Sequence, residues 1–208
     1  MFISFEGLDG SGKSTQIRLL ADWISSQGLQ PRLLREPGGT DWSEACRKVL
    51  LEHRSVSVNP VAEVLLFFSA RAQLVSEVIG PGLEAGEVVL LDRYVDSSLA
   101  YQGYGHGLPL GFLKTLAYQA TGGLLPVKTI YLDVDFDTAV ARQTGRGERD
   151  RMESMDRDRF NRIRQGYHAL IADDPGRFLV IPATGEPAAI HASVVSALSP
   201  LMKGISSR

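Results

Sequence analysis

The sequence lacks the features that would mark a secreted, zinc-binding or membrane-spanning protein. Its single cysteine, Cys46, cannot form an intramolecular disulfide, which is typical of a reducing compartment. No Cys/His cluster has the spacing of a zinc site, and no apolar run is long enough to span a membrane. The N-terminus also lacks the charged and apolar regions of a signal peptide. We therefore expect a cytoplasmic protein with no membrane partner.

Positive charge is scarce and unevenly distributed. The 208 residues carry a formal net charge of −2, which argues against a protein that coats nucleic acid by bulk electrostatics. We therefore expect no nucleic-acid partner. Lysine occurs at only five positions, whereas eight arginines fall between residues 142 and 164. Because the planar guanidinium suits bidentate binding of phosphate, this segment is a candidate phosphate-binding region.

Residues 7–14 form a complete phosphate-binding loop of the pattern G-x-x-x-x-G-K-[ST]. The loop follows an apolar run and precedes a helical pattern, which is the context that it requires. Its glycines let backbone N–H groups turn toward phosphate oxygens, and the helix N-terminus adds partial positive charge. Lys13 can then reach the β- and γ-phosphates of ATP, while the Ser14 hydroxyl can ligate Mg²⁺. The loop residues predicted to bind ATP are Gly7, Leu8, Asp9, Gly10, Ser11, Gly12, Lys13, Ser14 and Thr15.

Short apolar segments alternate with longer helical patterns along the whole chain. Such alternation predicts right-handed βαβ crossovers in an α/β fold, here a P-loop NTPase-like, five-stranded parallel sheet with helices on both faces. We expect a single domain over residues 1–208. The strands are predicted at about 2–6, 32–35, 87–92, 129–134 and 177–181. The helices are predicted near 14–26, 42–53, 60–79, 110–120, 136–143, 155–172 and 187–202.

Polar side chains follow the third strand, at the edge of the sheet where ligands bind in this class of fold. Asp92 resembles a Walker B acid that supports Mg²⁺, and Arg93 is placed to hold a second phosphate group. The alternative is a strand-end salt bridge. Further on, Ser98, Tyr101 and Gln102 share a helical face and are predicted to line a polar pocket, although a solvated loop fits almost as well.

Two further segments carry charge in unusual places. The turn at 35–40 is predicted to display Arg35 and Glu36 at the rim of the site, although its spacing alone fits a simple turn equally. In the helix at 60–79, Arg71 lies within an apolar stripe, which is costly unless the guanidinium is paired. A snorkelling arginine or an internal ion pair would explain it. The other interpretation is a ligand-reading arginine beside Phe67, one turn away, with the ring stacked on a base.

The segment from 142 to 153 is dense in arginine and punctuated by glycine, with no apolar periodicity. A mobile lid that brings arginine to a transferring phosphoryl group and excludes water would have this composition. The alternative is a solvated charged loop. Because a phosphate loop occurs in the same small domain, we favour the lid.

Taken together, these motifs resemble those of bacterial thymidylate kinases over essentially the whole chain. The resemblance implies the reaction ATP + dTMP → ADP + dTDP with Mg²⁺, and a homodimer formed through helices that include 60–79. The matching segments are 5–10, 35–40, 66–71, 92–94 with 97–103, and 150–153.

The resemblance also implies roles for individual residues. It places Asp9 near the acceptor 3′-hydroxyl and the metal, and Arg93 on the dTMP phosphate. It stacks Phe67 on thymine and pairs Arg71 with thymine O4. The other acceptor-site residues that it implies are Glu36, the thymine-side Ser98 and Gln102, Tyr101 beside the ribose 2′ position, and Tyr167 over the site. The metal-binding residues that it implies are Ser14, Asp9 and Asp92.

Two variants of this family differ in the source of the catalytic arginine. One carries it in the phosphate loop, at the position that is Gly10 here, so we expect this chain to supply it from the lid. Thr144 stands where the lid of the other variant often has an arginine. We favour Arg146 and Arg151 for catalysis and Arg142 for stacking on adenine. The predicted catalytic residues are Lys13, Asp9, Arg93, Arg146 and Arg151.

Two other functions remain as alternatives at this stage. The nearer is a kinase for another nucleoside monophosphate or for a deoxynucleoside. The other is a P-loop regulatory ATPase, although the chain has no guanine-reading Asn-Lys-x-Asp run and does have a second candidate base pocket.

Overall fold

The computed structural model describes residues 1–52, 57–143 and 155–202 as one α/β layer structure. Five parallel strands form its sheet, in the order β2-β3-β1-β4-β5. The fold prediction is confirmed, and each strand lies within one residue of its expected position. The strands are β1 (Phe2–Glu6), β2 (Pro31–Arg35), β3 (Val88–Asp92), β4 (Lys128–Asp133) and β5 (Phe178–Pro182).

Helices connect the strands, and two of the helical stretches contain π-helical turns. The longest continues from α3 through a π-helical segment at Val75–Ile79, so it extends beyond the predicted end at 79. A second π-helical segment, Leu99–Gly105, continues α5. The helices are α1 (Lys13–Ser26), α2 (Asp41–Leu51), α3 (Pro60–Leu74), α4 (Gly80–Glu84), α5 (Val95–Ser98), α6 (Leu110–Thr121), α7 (Phe136–Gln143), α8 (Arg157–Asp173) and α9 (Pro187–Met202).

The central strands are apolar on both sides because helices cover both faces of the sheet. In β3, Val88 and Leu90 join one buried cluster, and Val89 and Leu91 join the other. Alternate side chains of a strand point to opposite faces, so a continuous apolar run is what a doubly covered strand requires. In the part of the chain that the structure describes, no helix has the length and apolar content to cross a membrane.

Candidate active site

The phosphate loop lies between β1 and α1, at the carboxyl edge of the sheet. Gly7, Gly10 and Gly12 have φ angles of 140°, 86° and 93°, which side chains rarely adopt. These angles turn the loop back on itself, and the N–H of Ser11 donates to the carbonyl oxygen of Leu8 at 3.1 Å. The predicted glycine-rich loop before a helix therefore has its expected position.

Lys13 and Ser14 begin α1 and place a cation and a hydroxyl at the loop. The buried Lys13 Nζ donates to the carbonyl oxygens of Gly7 and Leu8, at 2.9 and 3.0 Å. Burial lowers the pKa of Lys13 to about 8, and the positive charge of Arg93 acts in the same direction. Ser14 Oγ donates to Asp92 Oδ2 at 3.0 Å, so two of the three predicted metal-binding side chains are brought together.

Gly10 has no room for a side chain. A Cβ built there would lie 2.4 Å from the carbonyl oxygen of Ala139 in α7, at a φ angle that is already left-handed. An arginine in the phosphate loop would therefore clash with backbone, which favours a catalytic arginine from elsewhere. Arg142, at the end of α7, donates to the carbonyl oxygens of Ala183 and Gly185 at 2.6 and 3.1 Å. The residues of the predicted lid from Thr144 onward, including Arg146 and Arg151, lie outside the described residues.

Arg93 lies directly after β3 with a left-handed φ of 68°, which is uncommon for a residue other than glycine. Its Nη1 donates to the Gly7 carbonyl oxygen and to Ser97 Oγ, both at 3.1 Å. Its Nη2 donates to Asp9 Oδ1 at 2.5 Å and to the Tyr101 hydroxyl at 3.1 Å. Arg93 thus pairs with Asp9 across the phosphate loop. The structure therefore contains a strand-end salt bridge, the alternative from the sequence, and the partner of Arg93 in it is Asp9.

The charge of Arg93 keeps Asp9 ionised in a partly buried position. Burial opposes ionisation of Asp9, but the positive charges of Arg93 and Lys13 outweigh it, and the pKa of Asp9 is lowered. Asp9 Oδ2 also accepts from the Tyr101 hydroxyl at 3.3 Å. Asp9, Arg93 and Tyr101, all predicted site residues, therefore form one group beside the phosphate loop.

Glu6 is a buried acid beneath this group, and the sequence prediction did not include it among the site residues. Its carboxylate accepts from the backbone N–H groups of Tyr94 and Ser97, at 2.8 and 3.3 Å. It also accepts from Ser97 Oγ at 2.5 Å and from the Tyr167 hydroxyl at 2.8 Å. Burial raises the pKa of Glu6 to about 7, helped by the nearby charge of Asp96. The available signal was an acid in an apolar strand, directly before the phosphate loop.

The raised pKa of Glu6 predicts a measurable pH dependence of stability. Because its ordinary value is 4.5, the folded state binds more protons at Glu6 than the unfolded state between 4.5 and about 7. The contribution of Glu6 to the free energy of unfolding therefore falls as pH rises through that window. We expect the urea midpoint of the wild type, relative to Glu6→Gln, to be higher near pH 5 than near pH 8. An equal midpoint difference at both pH values would contradict this assignment.

Arg71 forms a buried ion pair, so the internal-pair interpretation describes the structure. Its Nε donates to Glu36 Oε2 at 2.7 Å, and its Nη2 lies 2.6 Å from the same oxygen. Its Nη1 donates to Ser98 Oγ at 3.1 Å, and the guanidinium lies over the ring of Phe68. Phe67, the predicted stacking residue, is half-buried on the same helix.

The expected placement of Glu36 at the rim was wrong. Glu36 turns inward because Arg71 offers a buried partner, whereas Arg35 turns outward to pair with Glu44 at 2.8 Å. Alternate residues of an extended segment point to opposite sides, so two adjacent charges cannot both face the site. Burial raises the pKa of the Glu36 carboxyl despite the neighbouring guanidinium.

The remaining side chains predicted for the acceptor site are all buried, and they are Ser98, Tyr101, Gln102 and Tyr167. Their burial excludes a solvated loop for residues 98–102. Gln102 Nε2 donates to Glu63 Oε1 of α3 at 3.2 Å, so the amide is tied to the same helix that carries Arg71. Tyr167 lies behind Arg93, where its hydroxyl contacts Glu6 and lies 3.0 Å from Ser97 Oγ. The candidate site therefore has two halves, which are the phosphate loop with Lys13, and Arg93 beside a cluster of buried polar and aromatic side chains.

Comparison with known proteins identifies the family to which this arrangement belongs. The family model described as thymidylate kinase matches residues 5–194. The chain belongs to the thymidylate kinase family. A curated thymidylate kinase from Kosmotoga olearia is 46% identical over 94% of this chain and 93% of its own length. One from Symbiobacterium thermophilum is 48% identical over 88% of this chain and 86% of its own length.

A solved structure agrees with this assignment. The crystal structure of thymidylate kinase from Ehrlichia chaffeensis superposes with a TM-score of 0.77 and 31% sequence identity. It covers 95% of this chain and 98% of its own. As a member of the thymidylate kinase family, the chain is a kinase, a phosphotransferase that uses ATP. The alternative of a P-loop regulatory ATPase is not favoured.

Proposed function

We propose that this kinase transfers the γ-phosphoryl group of ATP to dTMP, which yields dTDP and ADP, a step in the synthesis of dTTP. The observation that carries the proposal is the position of Arg93. It supplies a second cation next to the phosphate loop, held between Asp9 and Ser97. A kinase whose acceptor is itself a phosphate needs two such centres, one for each nucleotide.

The phosphate loop and Lys13 hold ATP in this proposal. The loop glycines direct backbone N–H groups at the phosphates, and the N-terminus of α1 favours negative charge. Arg142 contacts the loop that follows β5, so its guanidinium lies at the side of the phosphate loop where adenine is expected. The donor nucleotide would then lie across the end of the sheet between α1 and α7.

Ser14 and Asp92 fit a Mg²⁺ ion. They contribute hydroxyl and carboxylate oxygens, the ligands that Mg²⁺ prefers, and these oxygens already lie 3.0 Å apart. Within the described residues, no three His, Cys, Asp or Glu side chains group as a metal site, which suits an ion held by few protein ligands and by substrate phosphates. The chemistry that Mg²⁺ supplies when bound is neutralisation of charge on the β- and γ-phosphate oxygens. Titration of activity with Mg²⁺ in Ser14→Ala tests this role, which requires a higher metal concentration in the variant.

Arg93 would bind the phosphate of dTMP and hold it in line with the γ-phosphate of ATP. The acceptor oxygen is already anionic, so catalysis rests on positioning and electrostatic stabilisation and needs no general base. Arg71, Ser98 and Gln102 would line the thymine end, with Phe67 as the stacking ring. After its bonds to Glu36, Ser98 and Tyr94, the Arg71 guanidinium retains an Nη1 hydrogen for a carbonyl oxygen of the base.

The arginines of the lid, about 142–153, would complete the site around the transferring group. We assign Arg146 and Arg151 to this role from the composition of the segment. An arginine that stabilises the charge of a phosphoryl-transfer transition state contributes mainly to kcat. Loss of kcat in Arg146→Ala and Arg151→Ala, with little change in the KM for dTMP, would support the assignment. Unchanged kcat in both variants would contradict it.

The first experiment is a coupled ADP-release assay with ATP, Mg²⁺ and a panel of acceptors. The panel contains dTMP, dUMP, dCMP, dGMP, UMP and thymidine. We expect strong dependence on dTMP and weak activity with UMP, because the pocket distinguishes the base and the sugar. Turnover on a different monophosphate would keep the kinase but change the acceptor. Turnover that no acceptor stimulates would contradict the proposed function.

We also propose that the protein is a cytoplasmic homodimer. The supporting observation is a set of apolar side chains exposed on the paired helices α2 and α3. They are Trp42, Val49, Val61 and Leu65, with exposed fractions of 55%, 47%, 40% and 48%. Burial of such a surface against a second copy would remove it from water. Sedimentation velocity of the wild type and of Leu65→Glu tests this, since the charge should shift the protein toward monomer.

A further inference from the structure

The hydrogen bonds around Glu6 have a defined direction. When Glu6 is ionised, its carboxylate accepts hydrogen bonds and cannot donate them, so the hydroxyl groups of Ser97 and Tyr167 then point their hydrogens at Glu6. The bond from Ser97 Oγ is the shortest of the set, at 2.5 Å. With its hydrogen committed to Glu6, the Ser97 oxygen presents only lone pairs to its other neighbours.

One of those neighbours is Arg93. Its Nη1 donates to Ser97 Oγ at 3.1 Å, and a guanidinium can only donate. If the Ser97 hydrogen pointed at Arg93, two donors would face each other. The ionisation of Glu6 therefore determines whether Ser97 can accept a hydrogen bond from Arg93. No described hydrogen bond joins Glu6 to Arg93 directly.

Ser97 holds only the Nη1 half of the Arg93 guanidinium. Nη1 is held by Ser97 and by the carbonyl oxygen of Gly7, which leaves Nη2 toward Asp9 and Tyr101. The Arg93 side chain keeps 18% of its exposed area, whereas Glu6 and Ser97 are buried. The partly exposed cation is thus oriented from behind by a buried acid and a hydroxyl.

We propose that Glu6 is a positioning residue for phosphoryl transfer, which acts through the Ser97 hydroxyl to orient Arg93 toward the acceptor phosphate. The inference rests on the proposed function, because it requires Arg93 to bind the acceptor. A purely structural role for Glu6 would come from the hydrogen bonds that it accepts from the backbone N–H groups of Tyr94 and Ser97. These two bonds connect β1 to α5. That role does not need the Ser97 side chain, so substitution of Ser97 separates the two.

The experiment is a double-mutant cycle of Glu6→Gln, Ser97→Ala and the double variant, with the KM for dTMP, the KM for ATP and kcat measured for each. Glu6→Gln places an amide NH₂ donor in the network, and Ser97→Ala removes the oxygen that holds Nη1. Loss of one hydrogen bond to a charged group predicts a rise of about tenfold in the KM for dTMP in each single variant. The KM for ATP should stay within about twofold, because Lys13 and the loop are unchanged.

The double variant decides whether Glu6 acts through Ser97. If it does, the KM for dTMP of the double variant lies about tenfold above that of the wild type, as in each single variant, because the second change removes nothing further. A rise of about a hundredfold would mean independent effects and would overturn the proposal. Equal rises in the KM values of dTMP and ATP would also overturn it, since they indicate general damage.

Two controls keep the test decisive. Ser199→Ala removes an equivalent hydroxyl that donates to the Val195 carbonyl oxygen in α9, and it should leave all three constants unchanged. Circular dichroism establishes that each variant is folded, and if Glu6→Gln is not, the same cycle is run with Glu6→Asp, which withdraws the carboxylate from Ser97 by one methylene group. A wild type without dTMP-dependent turnover would instead refute the proposed function, which is a different outcome from normal turnover with an unchanged KM in Ser97→Ala.

Discussion

Replacement of Arg93 by alanine is expected to lower kcat/KM for dTMP by about three orders of magnitude, the lower end of the range for arginines that stabilise phosphoryl transfer. The side chain is the cation beside the phosphate loop on the acceptor side, and its loss also leaves Asp9 without its ion-pair partner. Two phosphate groups would then approach each other with less charge neutralisation. Steady-state kinetics with dTMP and ATP measure the effect.

The matched control for Arg93→Ala is Arg32→Ala. Arg32 also lies at the sheet, but on the edge strand β2, where it is exposed and pairs with Glu87. Its substitution should leave kcat/KM unchanged, because surface ion pairs contribute little. Arg93→Lys should recover only part of the activity, since an ammonium cannot make the paired contacts of the guanidinium. Full activity in Arg93→Ala would refute the acceptor assignment.

Replacement of Arg71 by leucine is expected to destabilise the fold by about 3–5 kcal/mol, the usual cost of removing one partner from a buried ion pair. The change leaves the Glu36 carboxylate buried without its counter-charge, while the Ser98 hydroxyl and the Tyr94 carbonyl lose a donor. The free energy of unfolding from urea titration measures the loss. A loss of this size would show that Arg71 stabilises the fold, in addition to any contact that it makes with a ligand.

Two further variants identify the cause. Arg71→Leu combined with Glu36→Gln should be more stable than Arg71→Leu alone, because the uncompensated charge is removed. Arg35→Leu breaks the neighbouring exposed pair with Glu44 and should change stability little. If Arg71→Leu is as stable as the wild type, then the ion pair contributes nothing and the arginine is retained for another reason.

The architecture and the phosphate loop could be predicted because they depend on local chemistry. A strand covered on both faces must be a continuous apolar run, and a loop that cradles phosphate must carry glycine at fixed positions. The run that becomes β3 and the glycines at 7, 10 and 12 meet these requirements within a few residues of sequence. Ser14 and Asp92 could also be predicted, because Ser14 lies in the first turn of α1 and Asp92 ends β3, two elements that the sequence locates.

The helical interruptions and the pairing of charges could not be predicted in this way. The π-helical turns at 75–79 and 99–105 leave no periodicity that distinguishes them from α-helix. Arg71 was recognised as anomalous in an apolar stripe, but its partner Glu36 lies 35 residues away and adjacent to a residue that faces solvent. Whether that arginine was paired or free was therefore undecided from the sequence.

The sequence by itself determined that the chain forms a doubly covered parallel sheet with a nucleotide loop, because both follow from residue order over short spans. Only the tertiary structure decided which charges meet. The carboxyl ends of β1 and β3 are adjacent in the sheet. The end of β1 therefore meets the residue after β3, and Arg93 bonds the carbonyl oxygen of Gly7, next to Glu6, across 86 positions of sequence. Ion pairs and hydrogen bonds form between atoms that are close in space, and closeness across a sheet depends on strand order.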